Sequence, residues 1–310
     1  MFHRKLVVAG IALALASGFA QAREIKSVGV TVGSLGNPFF VTIAKGAEAK
    51  VKELNPNAKV LAVSADYDLN KQFTQIDNFI AAGVDMILLN AADPKAIEPA
   101  VKKAQKAGIA VVGVDVAAAG ADATVQTDNV QAGRIACEHI VKRLNGQGNV
   151  IIQNGPQVSA VVDRVKGCKA VFAAAPGIKV LSDDQDGKGS REGGMNVMLG
   201  HLTRFPKLDA VFTINDPQAI GTDLAARQLK RKGIVITSVD GAPDIENALK
   251  TDTQVEASAS QDPWAMAQQA IVIGNDVLNG KRPANPMVLI PSTLVTRDNV
   301  TSYKGWSAPR

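Results

Sequence analysis

Two stretches of the sequence share one plan: Ile87-Leu-Leu-Asn-Ala-Ala-Asp-Pro-Lys-Ala-Ile97 and Phe212-Thr-Ile-Asn-Asp-Pro-Gln-Ala-Ile220. In each stretch an apolar run ends in asparagine, at Asn90 and at Asn215, and an Asp-Pro pair follows close behind. An apolar run predicts a buried strand, and Asp-Pro is typical of the start of a helix. Both stretches therefore predict a strand that leads into a helix.

A second apolar run follows each stretch and ends in aspartate. The distance from Asn90 to Asp115 is 25 residues, and the distance from Asn215 to Asp240 is also 25 residues. Matched spacing of matched residue types indicates two similar βαβ units, one in each of two lobes. No further copies follow, so the pattern indicates a duplication and not a repeat array.

Short apolar runs alternate with helical patterns along the rest of the chain. This order predicts an α/β fold with parallel sheets covered on both faces. The clear strands are predicted at Val28–Val32, Val60–Val63, Met86–Leu89, Ala110–Val114, Val150–Ile152, Ala210–Ile214 and Ile234–Val239. The main helices are predicted at Phe39–Glu53, Lys71–Ala82, Ala96–Lys106, Val130–Leu144, Val161–Ala174, Ala219–Lys230 and Trp264–Leu278.

The N-terminus has the three parts of a secretory signal peptide. Arg4 and Lys5 precede the apolar run Leu6–Ala16, and Ala20-Gln-Ala22 forms a small-residue cleavage site. We expect residues 1–22 to be removed after Ala22 and the mature chain to be exported to the periplasm. A retained membrane anchor is disfavoured because the apolar run is short for a span.

Charge argues against a nucleic-acid partner. The formal net charge of +5 falls to +3 once Arg4 and Lys5 are removed. The remaining lysines are spread over predicted helices and form no basic stripe, which a nucleic-acid binder would show.

The two cysteines, Cys137 and Cys168, both fall in predicted helices. Export to an oxidising compartment permits a disulfide. Buried free thiols are common in helices, however, and spacing does not establish the geometry of a bond. The sequence favours unpaired thiols and leaves the pairing open.

Polar side chains that follow apolar strands are the candidate site residues, because ligands of open parallel sheets bind at the carboxyl ends of the strands. Short amide and acid side chains also suit sugar hydroxyls, which both donate and accept hydrogen bonds. The alternative is that such residues only cap helices or shape turns. This alternative is favoured for Asp93 and Asp216, which directly precede prolines. The candidates are Asn37, Asn90, Asp115, Asn215, Asp240 and Gln261.

Two aromatic residues, Phe39 and Phe40, directly follow Asn37-Pro38. Aromatic rings offer a stacking surface to the C–H faces of a sugar, although core packing is the alternative. Their position beside a candidate polar residue favours ligand contact.

The sequence lacks the usual marks of an enzyme. His139 and His201 have no cysteine or acidic partner at metal-binding spacing. The stretch around Lys188 departs from a phosphate-binding loop, and the acidic run from Asp183 lacks the first and last ligands of a calcium loop. We therefore expect no catalysis, no cofactor and no metal.

The chain resembles periplasmic sugar-binding proteins of the ribose-binding type over nearly its whole mature length. The resemblance is carried by Gly-Asn37-Pro-Phe-Phe40, Leu-Leu-Asn90, Val-Asp115, Asn215-Asp, Val-Asp240-Gly-Ala-Pro-Asp and Ser-Gln261-Asp-Pro. It implies two Rossmann-like lobes joined by a three-strand hinge, with the ligand between them. By this resemblance the N-terminal lobe is 23–127 plus 262–290, and the C-terminal lobe is 128–261 plus 291–310.

The same resemblance assigns the six polar candidates to sugar contacts and Phe39 and Phe40 to stacking. Two arginines of the ribose-binding pattern are replaced here by Val116 and Val162, although Arg164 lies close enough in sequence to substitute for one. Fewer cations give the acids a less rigid bidentate partner, so ribose itself is disfavoured. A neutral monosaccharide or sugar alcohol ranks first, with an amino sugar or a signalling furanose as the alternatives.

The implied function is that of the substrate-binding component of an ABC importer. Its partners would be a small polyhydroxylated ligand and an inner-membrane permease, with a chemoreceptor left open and a monomeric state expected. A sugar-responsive repressor shares this core but needs an N-terminal helix-turn-helix in place of the export signal. An exported α/β enzyme would need a catalytic set that the sequence does not show.

Overall fold

The computed structural model describes residues 23–306. The predicted signal peptide, residues 1–22, lies outside the described residues. The strands are β1 Ser27–Val32, β2 Lys59–Ser64, β3 Met86–Leu89, β4 Ala110–Val114, β5 Ala123–Thr127, β6 Gln147–Gln153, β7 Gly177–Ser182, β8 Ala210–Thr213, β9 Val235–Asp240, β10 Val255–Ser260, β11 Met287–Ile290 and β12 Leu294–Thr296. The helices are α1 Pro38–Leu54, α2 Leu69–Ala81, α3 Glu98–Lys106, α4 Asn129–Arg143, α5 Ser159–Ala173, α6 Arg191–Arg204, α7 Asp216–Gln228, α8 Pro243–Lys250 and α9 Pro263–Leu278.

These strands form two six-stranded sheets with matching strand orders. The first sheet has the order β11-β5-β4-β3-β1-β2, and the second has the order β12-β10-β9-β8-β6-β7. Neighbouring strands are parallel throughout, except that β12 runs antiparallel to β10. Strands β6 to β10 thus repeat the arrangement of β1 to β5, as the matched sequence stretches predict. The α/β fold with two lobes is confirmed.

Each sheet is covered by its own helices. Helices α1, α2, α3 and α9 pack in the first lobe, and α4 to α8 pack in the second. The inner strands β3, β4, β5, β8 and β9 are buried along their whole length. In β3, β4 and β8 the buried side chains are almost all apolar, as expected of strands covered by helices on both faces.

Within the described chain the backbone passes between the sheets after Thr127, Ser260 and Ile290. The three crossing segments lie side by side. The Asp128 N–H donates to the Ile290 carbonyl at 2.9 Å, and the Ser260 N–H donates to the Thr293 carbonyl at 2.7 Å. Near its end the chain returns to this junction, where the Trp306 indole N–H donates to the carbonyl of Gln261 at 3.1 Å.

Helices α4 and α5 are joined by a disulfide between Cys137 and Cys168, with Cα atoms 5.2 Å apart. The preference for unpaired thiols was therefore wrong. The helices approach closely because each has a glycine that lies against the backbone of the other helix. A Cβ on Gly133 would overlap with the carbonyl oxygen of Arg164, and a Cβ on Gly167 would overlap with that of Val130. Spacing in sequence does not reveal such a close contact between two helices.

Among residues 23–306, no helix combines the length and the apolar character that a membrane span requires.

Candidate functional site

A cavity lies between the two lobes, where the carboxyl ends of both sheets face each other. The centres of water-sized spheres can occupy about 40 Å³ inside it. The structure brings together all nine residues that the sequence singles out: Asn37, Phe39, Phe40, Asn90, Asp115, Arg164, Asn215, Asp240 and Gln261. The remaining wall residues are Tyr67, Val116, Pro156, Val158, Ala160, Val161, Gly189 and Ile214.

The first lobe contributes a fixed pair, Asn90 and Asp115. The Asn90 Nδ2 donates to Asp115 Oδ2 at 2.8 Å and to the Val114 carbonyl at 3.2 Å, and its Oδ1 accepts from the Gly33 N–H at 3.0 Å. With its amide bonded on both sides, Asn90 orients Asp115. Burial raises the pKa of the Asp115 carboxyl to about 6, although the Arg164 charge and the Asn90 hydrogen bond oppose the rise.

The second lobe contributes the matching acid, Asp240. Its Oδ1 accepts from Gln261 Nε2 at 2.7 Å, and Gln261 Oε1 in turn accepts from the Thr127 hydroxyl at 2.7 Å. This chain of bonds ties the second acid to two of the crossing segments. Burial raises the pKa of Asp240 to about 7, with the charges of Arg164 and the hydrogen bond of Gln261 acting in the opposite direction.

Both acids are held in backbone conformations that non-glycine residues rarely adopt. Asp115 has φ of 69° and Asp240 has φ of 141°. Such conformations cost free energy and persist where the surrounding structure imposes them, most often at functional sites. The duplication therefore places an aspartate with a positive φ at the end of the strand in both lobes, although the two φ values differ.

Arg164 is the cation that faces both acids. On α5, its Nη1 donates to the Ile214 carbonyl at 2.8 Å and lies 3.5 Å from Asp240 Oδ1, while its Nε donates to Asn129 Oδ1 at 2.8 Å. The side chain is 5% exposed. These three contacts hold the guanidinium in the cavity wall, where the sequence predicted a substitute for a lost arginine.

Asn37 and Asn215 have two roles at once. Asn37 caps α1 by accepting from the Phe39 N–H at 3.0 Å, and Asn215 caps α7 by accepting from the Gln218 N–H at 3.1 Å. Asn215 Nδ2 also donates to the Gly189 carbonyl at 3.0 Å. Helix capping and a place in the cavity wall, which the sequence posed as alternatives, coexist in both residues.

Aromatic rings form one side of the cavity. Phe39 and Phe40 make an edge-on pair with centroids 5.4 Å apart. Phe39 also contacts Trp306, and Phe40 contacts Tyr67, in edge-on geometry. The two phenylalanines thus belong both to the core and to the cavity wall.

The two aspartates that precede prolines differ from each other. Asp93 accepts from the N–H groups of Lys95 and Ala96 and so holds the turn before α3, but the helix begins at Glu98 with Ile97 as its N-cap, so the predicted capping role of Asp93 was wrong. Asp216 does not cap its own helix, because Asn215 does so, and the prediction for Asp216 was wrong. Its buried carboxylate instead accepts from the Ser238 hydroxyl and from the Ala242 N–H, next to Asp240.

The residues that sequence reasoning missed are mostly apolar wall positions. Tyr67 is the exception, since it follows the carboxyl end of β2 and could have been found by the same strand-end rule. It was passed over because that rule was applied to short amides and acids. In the described part of the chain, no three His, Cys, Asp or Glu side chains come together as a metal site.

Comparison with known proteins places this architecture in a family. A model described as a periplasmic binding protein domain matches residues 28–282. The chain is 32% identical over 259 residues to the ribose import binding protein of Bacillus subtilis (strain 168), covering 83% of each protein. It is 30% identical over 300 residues to a xylitol-binding protein of Mycolicibacterium smegmatis, covering 94% of this chain and 83% of the relative.

Solved structures of solute-binding proteins share the fold described above. The solute-binding protein of an ABC transporter from Burkholderia graminis C4D1M, in complex with D-arabinose, superposes with a TM-score of 0.83. That protein is 27% identical, and the match covers 91% of this chain and 99% of the other. Fold and cavity define a two-lobed binding protein. The chain belongs to the periplasmic binding protein family, among the sugar-binding proteins of the ribose-binding type.

Proposed function

We propose that this protein is the substrate-binding component of an ABC importer and that it captures a neutral monosaccharide or sugar alcohol by hinge closure. The observation that carries the proposal is the set of buried polar groups that both lobes place in one cavity. Asp115 and Asn90 come from the first lobe, and Asp240, Arg164 and Asn215 come from the second. Towards a ligand hydroxyl the carboxylates can accept, the guanidinium can donate, and the amides can do both.

The charges of the cavity favour a ligand without charge. Two carboxyls face one guanidinium, so an anionic ligand would meet an excess of negative charge in a buried site. Raised pKa values of Asp115 and Asp240 mean that protons are held more readily here than in water. A neutral polyol satisfies these groups by hydrogen bonds alone, without bringing a further charge into the cavity.

Burial of the site supports the hinge. Asn90 is 1% exposed, Asp240 3% and Asp115 6%, so a ligand reaches them only if the lobes separate. The three adjacent crossing segments are the natural axis of that motion. We assign 23–127 plus 262–290 to one moving lobe and 128–261 plus 291–310 to the other. A ligand that bridges both lobes stabilises the closed form by its differential affinity.

The relatives support the remaining parts of the proposal. The Burkholderia graminis protein is a component of an ABC transporter, and the Bacillus subtilis protein is an import binding protein. We infer that this chain is exported after cleavage at Ala22, acts as a monomer without catalysis, and delivers its ligand to an inner-membrane permease.

Calorimetry on the mature chain tests the proposal. D-ribose, D-arabinose, xylitol and myo-inositol represent neutral ligands, with D-glucosamine as the cation and D-gluconate as the anion. We expect at least one neutral compound to bind and D-gluconate not to bind. Asp240→Ala should weaken binding by about 2 kcal/mol, roughly 30-fold, because a buried hydroxyl loses its acceptor. Asp77→Ala, which removes an exposed carboxylate paired with Lys103, is the control.

Binding of D-gluconate alone, or unchanged affinity in Asp240→Ala, would contradict the proposal. Tightest binding by D-glucosamine would redirect it to an amino sugar.

A further inference from the structure

Tyr67 enters the cavity from a turn with an unusual backbone. Asp66 and Tyr67 follow β2 and have φ of 53° and 57°, so two successive non-glycine residues are left-handed. The turn is held from both sides: Asp66 accepts from the Ser64 hydroxyl and from the Lys71 ammonium, each at 2.5 Å. A left-handed conformation is costly for a tyrosine, and it is retained here by these surrounding bonds.

The ring of Tyr67 is fixed in place by its neighbours in the first lobe. A Cβ on Gly33 would lie 2.6 Å from the Tyr67 ring, so the ring lies directly on the glycine backbone. The Phe40 ring contacts its other side, with centroids 6.4 Å apart. Any residue larger than glycine at position 33 would displace the ring from the cavity.

The hydroxyl of Tyr67 reaches toward the second lobe. A Cβ on Gly189 would lie 3.8 Å from the Tyr67 Oη. None of the residues between 23 and 306 forms a hydrogen bond with this oxygen. The side chain is partly buried where it lines the cavity, and burial together with the charges of Asp115 and Asp240 raises the pKa of the phenol, so it stays a neutral O–H group.

A hydroxyl that lines the cavity and has no protein partner is free to donate a hydrogen bond to whatever fills the cavity. We propose that Tyr67 donates to a hydroxyl of the bound ligand and determines which polyols the site accepts. The contact forms only when the lobes are closed, because the ring comes from the first lobe and the space in front of it is bounded by Gly189 of the second. This inference rests on the proposed function and names a residue of specificity within it.

A double-mutant cycle between protein and ligand tests the contact. The protein variants are wild type and Tyr67→Phe, which keeps the ring and removes the hydroxyl. The ligands are the tightest binder among D-ribose, D-arabinose, xylitol and myo-inositol, and its series of monodeoxy analogues. Calorimetry gives the affinity of each combination.

We expect Tyr67→Phe to weaken binding of the parent ligand about 5- to 20-fold, in line with the loss of one hydrogen bond between protein and ligand. One deoxy analogue should bind wild type more weakly by a similar factor and should lose little further affinity in Tyr67→Phe. The other analogues should remain sensitive to the variant. That pattern identifies the hydroxyl that Tyr67 contacts.

The matched control is Tyr303→Phe, which removes the hydroxyl of the other tyrosine in the chain. The Tyr303 hydroxyl donates to the Gly241 carbonyl at 3.1 Å and does not line the cavity. This variant also leaves Tyr67 as the sole tyrosine of the chain.

The outcomes separate the inference from the function on which it rests. No binding of any neutral sugar or polyol to wild type would refute the proposed function. Two results would refute only the role of Tyr67. One is that wild type binds a neutral ligand and Tyr67→Phe binds it with the same affinity. The other is that every deoxy analogue loses as much affinity in Tyr67→Phe as it does in wild type. Unchanged melting temperatures of the ligand-free variants would show that either result does not come from misfolding.

Discussion

Asp115→Asn should stabilise the ligand-free protein and weaken ligand binding at the same time. Asparagine adopts the left-handed backbone of position 115 readily, and its side-chain oxygen can still accept from Asn90. The variant therefore keeps the shape of the site and removes the ionisable group. The opposite signs of the two effects follow from the same buried carboxylate.

The magnitude follows from the pKa of Asp115, which rises from an ordinary value of 3.8 to about 6 on folding. The folded state then holds the proton more tightly than the unfolded state, so this carboxyl lowers the free energy of unfolding as the pH rises from about 4 to 6. At pH 8 the penalty is about 3 kcal/mol, and at pH 4.5 it is about 1 kcal/mol. Asp115→Asn removes this penalty.

Urea denaturation of the ligand-free protein at both pH values measures the effect. We expect the free energy of unfolding of Asp115→Asn to exceed that of wild type by up to about 3 kcal/mol at pH 8, and by clearly less at pH 4.5. Calorimetry should show a 10- to 100-fold weaker affinity for the neutral ligand, roughly the loss of a charge-assisted acceptor. Asp77→Asn, on the exposed surface, should change stability by less than about 0.5 kcal/mol.

A lower free energy of unfolding for Asp115→Asn at pH 8 would refute the reasoning. So would a gain that does not depend on pH, since burial of an ionised group would then not be its source.

Two further predictions concern the contact between α4 and α5. Replacing Cys137 and Cys168 together by serine should lower the free energy of unfolding by about 3–4 kcal/mol, because the bond closes a loop with a sequence separation of 31. Urea denaturation with and without reductant checks this. Equal stability of the double variant and the oxidised wild type would contradict it. Gly133→Ala should push the two helices apart at Arg164. We expect it to lower the free energy of unfolding by about 1 to 3 kcal/mol, as overpacking of a core does, and to weaken ligand affinity. Gly200→Ala on α6, where an added Cβ meets open space, is the control and should leave affinity unchanged. Equal affinity in the two glycine variants would show that helix spacing does not position the guanidinium.

The strand-end residues were predictable because parallel sheets bring the carboxyl ends of their strands to one edge. Asn90 and Asp115 end neighbouring strands β3 and β4, and Asp240 ends β9, so sequence position alone implies proximity. The matched 25-residue spacing then relates the two lobes. That both sets face one cavity depends on how the lobes meet, which the sequence suggested only through family resemblance.

Other elements were not predictable because their sequences lack the apolar run on which strand prediction rests. Strand β5 reads Ala-Thr-Val-Gln-Thr and is buried, while β7 lies at a sheet edge and has exposed residues such as Lys179 and Val180. Neighbouring strands, not local pattern, fix these segments. The Cys137–Cys168 bond was missed for a similar reason, since glycine contacts between α4 and α5 set the approach.

Tyr67 and Asp216 show a further limit of residue-by-residue interpretation. Both follow strands, yet one was overlooked for its size and the other was interpreted as a helix cap. What distinguishes them is the tertiary position of each side chain: Tyr67 lines the cavity, whereas the Asp216 carboxylate is bonded to the loop after Asp240.

Closure of the two lobes around a neutral polyol is measured most directly by the distance between spin labels on opposite sides of the cleft. Leu35 of the first lobe and Glu192 of the second are exposed, and the native cysteines are both in the disulfide, so cysteine pairs there can be labelled with the bond intact. Pulsed electron paramagnetic resonance should show a broad or long distance without ligand and a shorter, narrower one with the tightest-binding sugar or polyol. A control pair within the first lobe, at Leu35 and Lys102, should not change. An interlobe distance that stays the same when a ligand is bound at saturation would contradict the account.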